Sequence, residues 1–174
     1  MNKIFFIMTL LITFQFSYCQ DSIPYDNKGF VISYKIEKVD ETHSSVWLSI
    51  KNSSNENRYI SITKNDLLSL SSEKGAYFDL SNRWNTDPLM SQKMLFYFAQ
   101  IKKGETYVTS RIIYNNNAEL LNVTLEYFSD LDKAFKKLKS IDSSNSIFTL
   151  KCKEYVDFAY SKGEIKQLSQ KFTL

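Results

Sequence analysis

His43 is the only histidine in a chain of 174 residues, and it sits in DETH (40–43), close in sequence to Asp40 and Glu41. A histidine among carboxylates is raw material for a metal site or a general base. Zinc, however, wants several Cys or His ligands, and the chain offers only Cys19 and Cys152 besides. A Ser-His-Asp triad would have to be built on His43, and no GxSxG nucleophile elbow occurs. DETH separates two alternating segments and reads as a solvated turn. Two carboxylate pairs, Asp130 with Asp132 and Glu154 with Asp157, lie close in sequence. Glycosidase chemistry needs two carboxyls about 5 to 10 Å apart in a cleft, whereas Asp130 or Asp132 has an ordinary role as a helix N-cap. The expectation is a protein that is not an enzyme and carries neither metal nor cofactor.

Two stretches are candidates for binding. Lys133, Lys136, Lys137 and Lys139 fall within seven residues. They read as the solvated face of a helix, or as a patch for an anionic partner such as phospholipid or an acidic polysaccharide. The loop SNRWNTDPLMSQK (81–93) carries Arg83 and Trp84 between two apolar segments. Connections of this length often serve a function. Trp84 could lie against a sugar ring, with tyrosines such as Tyr77 or Tyr97, or anchor a protein partner. It could equally fold back over one open end of the domain.

Composition narrows the classes further. Formal net charge is +3, and only Arg58, Arg83 and Arg111 among the 22 basic residues are Arg. Nucleic-acid and phosphate readers favour bidentate Arg, so no nucleic-acid partner is expected. Gly is scarce at 4 residues, Pro at 2, and neither GxGxxG nor a P-loop is present.

Residues 1–19 read as a signal peptide. Lys3 precedes an apolar run from Ile4 to Phe16, too short for a membrane-spanning helix, which needs roughly 20 apolar residues. Ser17 and Cys19 supply the small side chains that signal peptidase accepts, so cleavage would expose Gln20. The leader resembles bacterial export signals that end in a small residue just before Gln. The alternative is a lipoprotein signal in which Cys19 is acylated, against which stands the bulky Tyr18. With Cys19 removed, Cys152 is alone and no disulfide can form. Cys152 then reads as a small buried apolar residue. The expected protein is exported, periplasmic or extracellular, with no transmembrane segment after cleavage and residues 20–174 as one domain.

The elements that must position any site are strands. FVISYKIEKV (30–39) alternates strictly, with Phe30, Ile32, Tyr34 and Ile36 on one face. In VWLSIKN (46–52), Val46, Leu48 and Ile50 alternate with Trp47, Ser49 and Lys51. NSSNEN (52–57) is a turn cluster, and RYISIT (58–63) resumes the pattern, predicting an antiparallel hairpin. MLFYFAQI (94–101) is apolar on both faces and predicts a central strand. Further strands are predicted at 75–81, 105–114, 120–128, 147–153 and 154–160, and the tail could end as a strand. In DLDKAFKKLKSI (130–141), Leu131, Phe135, Leu138 and Ile141 recur at helical spacing, which predicts one short amphipathic helix lying across the strands.

Eight or nine short strands with regular turn signals predict a mainly β fold, an antiparallel β-sandwich. LSIKNSSNENRYISI, IKKGETYVTSRI and LNVTLEYF, the last with Tyr127, resemble small exported bacterial immunoglobulin-like domains of unassigned function. That resemblance implies a fold, not an activity. The expected function is an exported, non-enzymatic interaction module with an unknown protein or glycan partner. The alternative is a carbohydrate-binding module using exposed aromatics around Trp84.

Overall fold

A computed structural model describes residues 20–21, 25–62, 76–80, 94–114, 120–142 and 146–173. The leader 1–19, Cys19, Arg83 and Trp84 lie outside the described residues. The first sheet holds β1 (Gln20–Asp21), β2 (Tyr25–Asn27), β3 (Phe30–Lys38), β4 (His43–Asn52) and β8 (Thr106–Tyr114). Its order is β1-β3-β4-β8, with β2 also on β3. The second sheet holds β5 (Arg58–Ile62), β6 (Ala76–Leu80), β7 (Leu95–Ile101), β9 (Leu120–Ser129), β10 (Lys139–Asp142), β11 (Ile147–Lys151) and β12 (Lys166–Thr173). Its order is β10-β11-β7-β5-β9-β12, and β6 runs parallel to β9 beyond the end of β5. Nine of these strands have five residues or more. The fold is mainly β and the sheets are antiparallel but for β6.

Period-two alternation explains the first core. Phe30, Ile32, Val46, Leu48 and Ile50 of the first sheet meet Ile60, Leu121, Val123, Leu125 and Leu168 of the second, all essentially buried. Successive strand residues point to opposite faces, so one face of each sheet is apolar. The Phe30 and Tyr127 rings pack edge-to-face at 4.9 Å.

The hairpin predicted between 46–52 and 58–63 does not form. β4 belongs to the first sheet and β5 to the second, so the Asn/Ser turn carries the chain from one layer to the other. Asn52 makes the crossing possible. Buried at the corner, its amide donates to the Ile101 carbonyl at 2.9 Å and the Glu56 carbonyl at 2.8 Å, while its oxygen accepts from Ser54 Oγ at 2.6 Å. Gly29 is close packed against this corner. It has φ of +81°, and a Cβ there would stand 3.0 Å from Ser54 Cβ.

The second sheet is buried on its other face as well. Tyr59, Phe96, Phe98, Phe128 and Leu150 form a second core with Tyr155, Phe158 and Ala134. Tyr155 and Phe158 come from helix α1 (Cys152–Val156) and the π-helical turn that continues it (Asp157–Ser161). Residues 154–160 are therefore helical rather than the predicted strand. Cys152, a free thiol, opens this helix and is half-buried. The stretch 130–141 holds its short helix as a 3-10 turn over Lys133–Lys137, and then pairs as β10 with β11. Ala134, not the predicted apolar stripe, is the residue this turn buries. Interstrand bonding to β11 takes residues 139–142 out of the helical pattern. Among the described residues no helix is long and apolar enough to cross a membrane.

Candidate functional site

The outer face of the first sheet carries no packed layer among the described residues. β4 turns Ser45, Trp47, Ser49 and Lys51 outward because Val46, Leu48 and Ile50 are committed to the core. β8 does the same with Val108, Ser110, Ile112 and Tyr114. Register then sets large beside small: Val108 opposite Ser49, Ser110 opposite Trp47, Ile112 opposite Ser45, and Tyr114 opposite His43. Directly paired side chains sit about 5 Å apart, so the serines leave the four large groups standing clear of one another. Trp47, Val108, Ile112 and Tyr114 are between 40% and 55% exposed. The result is a strip of apolar knobs spaced by serines, with Lys51 at one end.

Polar contacts fix two of the aromatic groups. The Trp47 indole N–H donates to Glu37 Oε2 at 3.0 Å, so the ring leans across the sheet toward β3. Lys35 holds the other Glu37 oxygen at 2.9 Å. The Lys35 hydrogen bond, chiefly, keeps the Glu37 carboxyl below its ordinary pKa. At the far end, the His43 and Tyr114 rings lie 4.7 Å apart. Asp40 fastens this end. Its Oδ1 accepts the backbone N–H groups of Thr42 and His43, each at 2.7 Å. Those bonds, Thr42 first, lower the Asp40 pKa from 3.8 to about 2. His43 Nδ1 stands 3.1 Å from the same carboxylate. DETH is thus a structural turn at one edge of the strip.

The lysines and paired carboxylates singled out in the sequence fall elsewhere. Arg83 and Trp84 lie outside the described residues, as does the side chain of Tyr77. Tyr97 is half-buried in β7. Lys133, Lys136 and Lys137 are exposed on the 3-10 turn, and Lys139 is exposed at the start of β10. The paired carboxylates have structural duties. Asp130 accepts from Asn57 at 3.1 Å and Asp132 from the Ser129 N–H at 2.7 Å. Glu154 reaches back to the Lys151 N–H at 3.4 Å, and Asp157 pairs with Lys162 at 2.9 Å. Each of the four carboxylates is engaged in its own local contact.

One buried carboxylate was not anticipated. Glu126 is inside the second sheet's outer layer, where its Oε2 accepts from Tyr155 Oη at 2.6 Å and Ser61 Oγ at 3.4 Å. A charged or polar group held this way costs free energy unless it is bonded, so the contact ties α1 to β9 in one register. Among the described residues no group of three His, Cys, Asp or Glu side chains converges as a metal site would.

The strip on the first sheet was legible in part. Trp47 already fell on the polar side of the β4 alternation, opposite the core positions, which marks an aromatic side chain aimed at solvent. Comparison of the chain with known protein families, with curated proteins and with solved structures finds no match.

Proposed function

We propose that the protein is an exported, non-enzymatic binding module that holds a partner protein against the outer face of its first sheet. The observation that carries this reading is the strip of Trp47, Val108, Ile112 and Tyr114, solvent-facing and spaced by serines. Exposed apolar groups gathered on one face mark contact surfaces, and buried aromatic anchors dominate the energetics of protein interfaces. Val108 and Ile112 favour a protein over a sugar. Branched aliphatic side chains gain from burial but offer a sugar neither a stacking face nor a hydrogen bond.

Export is supported by the composition of residues 1–19, with Cys19 either removed or acylated. The immunoglobulin-like reading is supported by strand partition. β3, β4 and β8 pair in one sheet and β5, β9 and β12 lie in the other, following the A-B-E and C-F-G division of such domains. The carbohydrate-binding reading keeps one specific support. Trp47 and Tyr114 share a face with Ser45, Ser49 and Ser110, which could bond sugar hydroxyls.

Site-specific photo-crosslinking in the producing cells tests the docking face. A benzophenone side chain at Ile112 is expected to give a discrete protein adduct, lost when Trp47→Ser is added. The same group at Lys171, exposed on β12, is expected to give none. Equal adducts at both positions, or none at Ile112, would remove the proposal. A glycan array that responds to the wild type and not to Trp47→Ala would establish the sugar reading in its place.

A further inference from the structure

We propose a second, independent contact surface: residues 131–141 dock on membrane lipids with anionic headgroups. The proposal does not depend on the outer face of the first sheet. Leu131 stands 81% exposed at the tip of the turn, Ile141 is 55% exposed where β10 bulges, and Phe135 is 37% exposed between them. Phe135 is braced from behind by the Tyr59 ring, 5.5 Å away. Lys133, Lys136, Lys137 and Lys139 are interleaved with these three apolar groups, all exposed. Among the described residues none of the four lysines forms an ion pair. Three nearby acids are bonded elsewhere. Asp132 takes the Ser129 N–H and lies 3.9 Å from Lys166, Glu164 takes the Ala134 N–H at 3.0 Å, and Asp130 takes Asn57.

The chemistry of the partner follows from the mixture. Four uncompensated ammonium groups call for negative charge, and Lys suits headgroup phosphates as a hydrated point charge without fixed geometry. Leu131, Phe135 and Ile141 gain nothing from a soluble acidic polymer. At a bilayer surface they enter the boundary between headgroups and acyl chains while the lysines stay at headgroup level. A short, non-helical patch suffices for this, because the sheet behind it supplies the rigidity.

Sedimentation with vesicles tests it. The probes are phosphatidylcholine vesicles with and without phosphatidylglycerol, and the full chain serves in every arm. Residues 1–19, whatever their processing, are treated alike in all variants, so differences between them report the patch. Each lysine near an anionic surface is worth about fivefold in binding. Lys136→Glu with Lys137→Glu is therefore expected to lose more than tenfold on phosphatidylglycerol vesicles and nothing on phosphatidylcholine. Leu131→Ser with Ile141→Ser is expected to lose several-fold, and salt near 0.5 M to weaken the wild type. Lys133→Gln with Lys139→Gln, which alters only exposed side chains, gives a second reading if the glutamates disturb folding. Lysine variants that bind like the wild type would overturn the proposal. So would a lysine effect with no effect of Leu131→Ser and Ile141→Ser, which would assign the charge to a soluble acidic polymer instead.

Discussion

The two sheets treat their outer faces in opposite ways. The second sheet spends its outer face on a second core, with Phe96 and Tyr155 rings at 4.3 Å and Tyr59 stacked on Phe128 at 5.2 Å. The first sheet leaves Trp47, Val108, Ile112 and Tyr114 to solvent. Large side chains stand on both faces; what differs is the helical segment 152–161 lying on one of them. Apolar side chains left about half exposed on an uncovered sheet stabilise the fold less than fully buried ones, since less of their surface leaves water. On the proposed reading the second core serves stability and the exposed strip of the first sheet serves contact.

Substitutions should separate these roles sharply. Phe128→Ala empties a fully buried site in the second core, and we expect a loss of about 3 to 5 kcal/mol in chemical denaturation. Trp47→Ala measured alongside should cost less than about 1 kcal/mol. Similar losses at both positions would erase the contrast. Tyr155→Phe removes only the hydroxyl that bonds Glu126, leaving the ring in place. The buried carboxylate then lacks that donor, and about 1 to 3 kcal/mol should go, read in the same denaturation curves. A neutral Tyr155→Phe would show that the hydroxyl does not anchor the helix. Val108→Thr with Ile112→Thr should change stability by no more than about 0.5 kcal/mol while lowering the fluorescence of an apolar dye bound to the native protein.

The smallest effect is at the rim of the strip. The Asp40 pKa is lowered on folding to about 2. A carboxylate with a depressed pKa adds stability above its ordinary pKa, and that contribution is lost as pH falls toward 2 and below. The Thr42 and His43 amide resonances should therefore titrate with a midpoint near 2, not near 3.8. A midpoint at the ordinary value would mean that the turn does not hold Asp40 as described.

Much of the first sheet could be read from alternation. Phe30, Ile32, Tyr34, Val46, Leu48 and Ile50 are buried in the faces their spacing assigns, and Gly104 in the turn KKGE takes φ of +78°, a backbone conformation that favours glycine. The two-sided apolarity of 94–101 correctly marked a central strand, flanked by β11 and β5. What local pattern could not tell was which layer covers a face. Residues 154–160 satisfy period two, yet Cys152, Tyr155, Val156 and Ala159 also satisfy a helical spacing, and packing on Phe96 and Phe98 decides for the helix. In 130–141 the helical spacing of Leu131, Phe135, Leu138 and Ile141 yields a short 3-10 turn over Lys133–Lys137, and from Lys139 on strand pairing with β11 wins. The turn at 52–57 looked like a hairpin because sequence shows a polar connection but not the buried Asn52 that sends it across the sandwich. The same blindness hid the site: alternation placed Trp47 outward, but only the register beside β8 gathers it with Val108, Ile112 and Tyr114.

Hydroxyl-radical footprinting of the protein in its producing cells, set against the purified protein, tests the division of labour most directly. Trp47, Ile112 and Tyr114 should lose reactivity several-fold in cells, while Tyr160, equally exposed on the helical layer, should keep it. Unchanged reactivity at Trp47 and Ile112, or protection of Tyr160 to the same extent, would contradict a contact role for the first sheet.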